Sequence, residues 1–402
     1  LNHKRHIKAV IIVLLIVSIL SSCNFISVKD NNIHPPEEDE HIELNVEDKE
    51  EQIEQEPPRS LNISVVGDIM LHGPQIRSAK QSDGSYDFKP VFSEVKSYLE
   101  GSDLTLANFE TTISTPEKGY SGYPMFKTPE SILEALKYAG FDVLTTANNH
   151  CLDNFIFGLE NTLNKFDEYG FLHTGTSRSP EEQDKVLIVD KNGIKVAILA
   201  YTYGANGMEG SVDQSKLQYM VNFIDEEKIS NDIQKAKAEG ADVIIACMHW
   251  GVEYVRQPND EQKALADKLF ADGVDIIFGS HPHVIQPMER RRITTNEGKE
   301  KDGFIIYSLG NFVSNQRDRY QDSGVIINLE VIKDGDNISI GKIGYTPTWV
   351  RKYTDNGNIK YEILPVAKFM DGQLKGNENE RIKSVWNETT GLIGIEDFEP
   401  VK

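Results

Sequence analysis

Cysteine is scarce in this chain, with three among 402 residues. That excludes a disulfide-dense secreted scaffold. Cys151 and Cys247 are read as buried free thiols, and a bridge between them is the weaker alternative. Basic residues are also in short supply: 42 Lys and Arg face 63 Asp and Glu, for a net charge of −21. Charge of that sign argues against nucleic acid as a partner and against electrostatic membrane binding. No apolar run is long enough for an ordinary membrane-spanning helix. Ala9 to Leu20 is apolar apart from Ser18, about twelve residues, which is the length of a signal-peptide core. No Gly-x-x-x-x-Gly-Lys loop or dinucleotide fingerprint is present, so ATP or NAD chemistry is not supported.

That apolar run follows a basic start, His3 to Lys8, and leads into Leu20-Ser21-Ser22-Cys23. The tetrapeptide resembles a bacterial lipobox, in which cleavage leaves a lipid-bearing cysteine at the new N-terminus. Residues 1–22 are therefore expected to be a lipoprotein signal peptide, with Cys23 lipidated. Between Asn24 and Arg59 stand twelve acidic residues and three basic ones, with Pro35-Pro36 and Pro57-Pro58 as punctuation. Such a segment buries too little apolar surface to offset the entropy of ordering, and its like charges extend it. Residues 23–59 are expected to be an acidic tether holding a domain at the extracytoplasmic face of the cell membrane.

The folded part is expected over residues 60–366, with a C-terminal extension at 367–402. Strands are predicted at Asn62–Val66, Leu104–Ala107, Val143–Thr146, Val186–Val189, Lys195–Ala200, Val243–Met248 and Ile276–Phe278. Helices are predicted at Pro90–Leu99, Pro129–Ala139, Leu159–Tyr169, Asp225–Ala238 and Asp260–Ala271. The alternation argues for a largely parallel sheet covered by helices. After Pro287 strand patterns dominate and predict a second sheet packed on the first.

Several strands stop at residues able to bind a metal or move a proton. Gly67-Asp68, Asn108-Phe109-Glu110, Asn148-Asn149-His150, His249 and His281-Pro282-His283 each follow an apolar run. Ligands in open α/β sheets bind outside the carboxyl ends of strands, so one shared site is expected. The metal candidates are Asp68, Glu110, Asn149, His249, His281 and His283. Neutral imidazole suits zinc, manganese and iron, and oxygen donors suit harder ions. His281 and His283, two apart on an extended segment, should point to one side. His150, beside an amide, is the candidate acid or base. Trp250, Glu253, Tyr254 and Arg256 are candidates for the cleft wall, Asn311 for a bond to the site loops, and Lys127 for an anionic substrate. Arg290-Arg291-Arg292 reads as solvated surface.

Gly67-Asp68-Ile69-Met70, Ala107-Asn108-Phe109-Glu110, Ala147-Asn148-Asn149-His150, Met248-His249-Trp250-Gly251, Gly279-Ser280-His281-Pro282-His283 and Tyr307-Ser308-Leu309-Gly310-Asn311-Phe312 together resemble the motif series of the CapA family of bacterial capsule, or poly-γ-glutamate, synthesis proteins. That family is similar to calcineurin-like metallophosphoesterases. The resemblance implies an α/β fold, a metallophosphoesterase-like four-layer sandwich of two packed β-sheets flanked by helices. It implies one or two divalent ions, manganese, zinc or iron. Asp68 and His283 would hold one, Glu110 would bridge, and Asn149, His249 and His281 would hold the other. His150 would protonate a leaving oxygen. Met70 departs from the pattern, since metallophosphoesterases carry a histidine there and a thioether is a poor ligand for a hard ion. His72 is near at the wrong spacing. The resemblance further implies an anionic polymer and membrane synthase components as partners. The alternatives are an extracellular metal-dependent hydrolase, or a binding module with a degenerate metal site.

Overall fold

The computed structural model describes residues 57–394 and 398–401. The signal peptide, Cys23 and nearly all of the tether lie outside the described residues. Residues Gln55–Lys402 form one compact unit.

Two sheets carry the fold. The first runs, edge to edge, through Asn358–Pro365, Asn337–Asp355, Ser323–Asp334, Arg59–Ile69, Leu104–Phe109, Val143–Thr145 and Leu172–Thr174. The second runs through Met288–Thr294, Glu300–Ile306, Ile276–Ser280, Val243–His249, Ile194–Thr202 and Leu187–Lys191. Side chains alternate across each strand. Ile63, Val65 and Leu106 of the first sheet meet Ile198, Ile245 and Phe278 of the second in a shared core. The intervening Val66, Ala107 and Leu144 face outward onto Phe92, Leu136 and Leu163. On the far side Leu199, Ile244 and Ile277 pack on Ile233, Leu269 and Phe270. The order is helix, sheet, sheet, helix, the expected four-layer sandwich. Strands buried on both faces explain why the sequence reads as continuous apolar runs rather than alternation. Each fully buried large aliphatic or aromatic side chain contributes about 1.5–3 kcal/mol.

All seven strands predicted before Pro287 are present; five are extended at one end or both, Val143–Thr145 is one residue shorter, and Leu187–Lys191 starts one residue later and ends two later. Two expectations are corrected. The strands after Pro287 do not form a separate second sheet. Met288–Thr294 and Glu300–Ile306 extend the second sheet, while Ser323–Asp334 returns antiparallel beside Arg59–Ile69 in the first. Pattern along the chain shows that a strand exists but not which edge it will join. The predicted helix Pro90–Leu99 is two single turns, Lys89–Phe92 and Lys96–Leu99. Phe92, Val95 and Leu99 are buried all the same, because successive turns satisfy the same three-to-four-residue spacing.

Helices Asp260–Asp272 and Glu226–Ala238 start where their caps dictate. The Asn259 and Asp225 side chains accept hydrogen bonds from the backbone N–H of Gln262 and Lys228. Helix Asn377–Ile393, in the C-terminal extension, sets Ile382 and Val385 against Trp349, Leu364 and Val366. Cys151 and Cys247 are not bonded to one another.

Candidate metal centre

The parallel strands Arg59–Ile69, Leu104–Phe109 and Val143–Thr145 of the first sheet, and Val243–His249 and Ile276–Ser280 of the second, end at one place. The expected shared site is therefore built by two facing sheets rather than by one edge. Two motif glycines let it close. A Cβ on Gly67 would lie 1.9 Å from the Gly310 carbonyl oxygen, and one on Gly279 would lie 1.9 Å from that of Tyr307. No side chain fits at either position, which brings Asp68 and His281 up against neighbouring backbone.

Asp68, Glu110, Asn149, His150, His249, His281 and His283 are all buried. Asn108, not among the predicted donors, sits at the centre. Its Nδ2 donates to Asp68 Oδ1 at 2.8 Å and lies 3.3 Å from both Glu110 Oε2 and His249 Nδ1. His283 Nδ1 is 3.0 Å from Asp68 Oδ2. Glu110 Oε1 stands 3.7 Å from His249 Nε2 and 3.7 Å from His283 Nε2. Asn149 Oδ1 lies 3.0 Å from His249 Nε2. The Ser280 hydroxyl, 2.9 Å from His249 Nδ1, serves either tautomer of that ring.

Two sets of three side chains each offer ligand atoms within 4.8 Å of one another: Glu110, His281 and His283, and Asp68, Glu110 and His249. Glu110 belongs to both, the place of a bridging carboxylate. These groups cut across the partition implied by the resemblance, because Asp68 and His283 already bond to each other. Met70 is buried at the turn after Asp68. His72 lies outside both sets, and its Nδ1 accepts from the Asn315 backbone N–H at 3.2 Å.

His281 and His283 do not lie on extended backbone. Their φ angles are +94° and +56°, both left-handed. Non-glycine residues held there cost on the order of 1–3 kcal/mol each. The loop is pinned by Tyr254 N–H donating to the Pro282 carbonyl at 2.8 Å and by Asn311 Nδ2 donating to the His283 carbonyl at 3.3 Å. The predicted Asn311 bond to the site loops is thus present. The two rings converge at 5.9 Å through strained turns, not through strand alternation.

The electrostatics favour a cation. Burial, then the neighbouring Asp68, pushes Glu110 well above the usual carboxylate range. Burial, reinforced by the other imidazoles, holds His249 well below its ordinary value and His281 down at about 3. Three imidazole-bearing and two carboxylate-bearing side chains thus meet without a protein cation among them. Glu110 Oε1 and His281 Nδ1 are buried with no hydrogen-bond partner among the described residues. Neutral imidazoles, oxygen donors and an unsatisfied carboxylate oxygen fit a divalent ion, which would offset the cost of burying adjacent carboxylates.

A depressed histidine pKa has a defined sign. The unfolded chain takes up a proton below its ordinary 6.5, whereas folded His281 resists until about 3. Stability from this residue is present above 6.5 and is lost as pH falls toward 3. In metal-free protein, His281→Gln should flatten the acid limb of the melting-temperature curve across that window. An unchanged limb would remove His281 as its source.

Beside the cluster, His150 Nδ1 lies 2.7 Å from Asp153 Oδ2, which also accepts the Phe126 N–H at 2.6 Å. The Phe126 ring stands edge-on to His150 at 4.6 Å. Asp153 is a second residue missed from sequence, where its only signal was a spacing of three from His150. Tyr203 is a third. Its half-exposed ring is 4.5 Å from His281 and stacks 6.2 Å from His249, at the mouth of the site. Tyr254 is on the rim as expected, 6.2 Å from His283, and Glu253 is close enough to act on Glu110. Trp250 is core, donating to the Tyr307 carbonyl, and Arg256 reaches the Glu388 carbonyl instead. Arg291 and Arg292 pair with carboxylates, and Arg290 binds backbone carbonyls. Lys127 lies close enough to act on Asp153.

A profile of the bacterial capsule synthesis protein family PGA_cap matches residues 62–316, which contain every one of these donors. The chain belongs to that family. Among PGA_cap relatives, the capsule biosynthesis protein CapA of Bacillus anthracis is 32% identical over 274 residues, 66% of this chain and 63% of that protein. The chain therefore spans less than two thirds of that relative's length. The PGA biosynthesis protein CapA of Bacillus subtilis strain 168 is 29% identical over 304 residues, 73% of either chain. Among solved structures, the calcineurin-like phosphoesterase YfkN of Bacillus subtilis covers 83% of this chain and 98% of its own, at 18% identity and a TM-score of 0.44. At that value the architecture rests on the sheets and cores described above, not on the likeness.

Proposed function

We propose that this PGA_cap protein acts on poly-γ-glutamate as the polymer emerges at the outer face of the membrane. A divalent ion held by Asp68, Glu110, Asn149, His249, His281 and His283 would carry the action. The observation that carries this reading is the buried Glu110 oxygen that stands among three imidazoles with no hydrogen-bond partner among the described residues. Surface location is supported by the lipobox at Cys23 and the acidic tether, and membrane synthase components are the partners this places nearby. A protein of net charge −21 repels a polyanion, so a cation between polymer and protein solves a physical problem as well as a chemical one.

Manganese, zinc or iron would supply Lewis acidity at a scissile carbonyl and a nucleophile from water near neutral pH. The chain's own residues supply the rest. Asp153 accepts Nδ1–H of His150, which leaves Nε2 free to carry a second proton, and it is this Nε2 proton that would pass to a leaving oxygen or nitrogen. Tyr203 and Tyr254 wall the mouth. A second reading is favoured by Met70 in place of a ligand: the ion grips polymer carboxylates without cleavage.

Metal analysis of the purified full chain, beside His281→Ala/His283→Ala, tests the proposal. One or two equivalents in the wild type and none in the variant are expected. No metal in either protein after supplementation with manganese, zinc or iron would end the reading.

A further inference from the structure

A cleft of about 620 Å³ opens beside the metal centre, lined among others by His72, Arg77, Lys80, Tyr86, Tyr120 and Tyr123. In a chain with half again as many acidic as basic residues, its lining holds two cations and no carboxylate. Arg77 and Lys80 are exposed, and neither forms an ion pair among the described residues. Arg77 lies in the last turn of helix Gly73–Ala79, and Lys80 follows it as the C-cap on extended backbone that bridges to Tyr86, another residue of the cleft lining. Tyr86 and Tyr120 meet edge to face at 5.4 Å, forming an aromatic wall. Tyr123 is 75% exposed, a large aromatic surface left in solvent.

One packed ring, that of Phe126, separates the cleft from His150. The His72 ring on its wall is edge-on to Phe126 at 5.1 Å, and Phe126 is edge-on to His150 at 4.6 Å. Tyr123 also packs on Phe126, at 6.5 Å.

We propose that this cleft is a subsite for a flanking stretch of a polycarboxylate chain, with Arg77 and Lys80 pairing with successive carboxylates and the tyrosines covering the methylenes between them. The inference rests on the reading that poly-γ-glutamate is the substrate, and it adds where the polymer lies relative to His150. Isolated side-chain cations on an open aromatic wall suit carboxylates spaced along a flexible chain. A compact phosphate would be met instead by converging backbone N–H groups.

The test is binding of a fluorescent γ-glutamate decamer to the full, metal-loaded chain, followed by anisotropy, beside Arg77→Gln/Lys80→Gln. Both positions are exposed, so the variant should keep its metal content and melting temperature. The expected result is a loss of about tenfold or more in affinity, with a shallower dependence on salt because fewer ion pairs remain. A decamer whose free α-carboxylates are converted to carboxamides should bind wild type and variant equally weakly. Unchanged decamer affinity in the metal-loaded variant would overturn the subsite while leaving the metal centre standing. Competition by inorganic phosphate as effective, charge for charge, as that by unlabelled decamer would overturn the polymer assignment. A chain without metal refutes the proposed function instead, and the metal assay alone reads that outcome.

Discussion

His150→Ala is expected to lower metal-dependent turnover by about 10²–10⁴-fold, the usual contribution of a positioned general acid or base. Metal content should not change, because His150 belongs to neither ligand set. Turnover would be read as release of short oligomers from poly-γ-glutamate, with chromogenic phosphoesters as the parallel assay. Asp153→Asn should give a smaller loss. It keeps the size of the side chain 2.7 Å from Nδ1 but removes the carboxylate that orients the ring and fixes its tautomer. Full activity in His150→Ala would take that residue out of the mechanism. Absence of any turnover in the wild type, alongside metal-dependent polymer binding, would leave the ion as a grip rather than a catalyst.

Glu110→Gln should have opposite effects with and without metal. In chelator, the variant should be more stable than the wild type, by about 1–3 kcal/mol. The buried Glu110 carboxylate is desolvated and crowded by Asp68, and an amide of the same shape removes the charge and brings an N–H that can donate to Asp68. Its raised folded-state pKa gives the matching pH sign. The stability that Glu110 contributes to the metal-free protein is present below its ordinary 4.5 and is lost as pH rises through the folded value. With metal the order should reverse, because the only side chain common to both ligand sets has lost its anionic oxygen. An affinity loss above about 100-fold is expected, beyond that of a typical outer-shell change. Calorimetric melts of both proteins, with chelator and with manganese, decide it. A variant that holds metal as well as the wild type, or melts lower in chelator, would show that Glu110 is structural.

Much of this site could be read from the chain because its ligands end apolar runs. Asp68, His249 and His281 are each the first strongly polar residue after several buried ones, and such a transition is visible without coordinates. Asn108 escaped notice because an amide in a strand carries no signal of its own. Its importance lies in standing 3.3 Å or less from Glu110, two residues on, and from Asp68 and His249, which come from two other strands, one of them in the facing sheet. Asp153 and Tyr203 were missed for the same reason, since their partners are defined by a turn and by a facing sheet.

The sequence by itself determined most of the strands and helices, the family, and which polar residues stand at the strand ends. These follow from local composition, periodicity and motif order, which the chain carries residue by residue. Tertiary structure alone decided that the strands after Pro287 divide between both sheets, because edge pairing depends on which backbone hydrogen bonds are still open once the core has formed. It also decided that His281 and His283 converge through left-handed turns. Strain of that kind persists only where surrounding bonds hold it, and those bonds, from Asn311 and Tyr254, come from elsewhere in the chain.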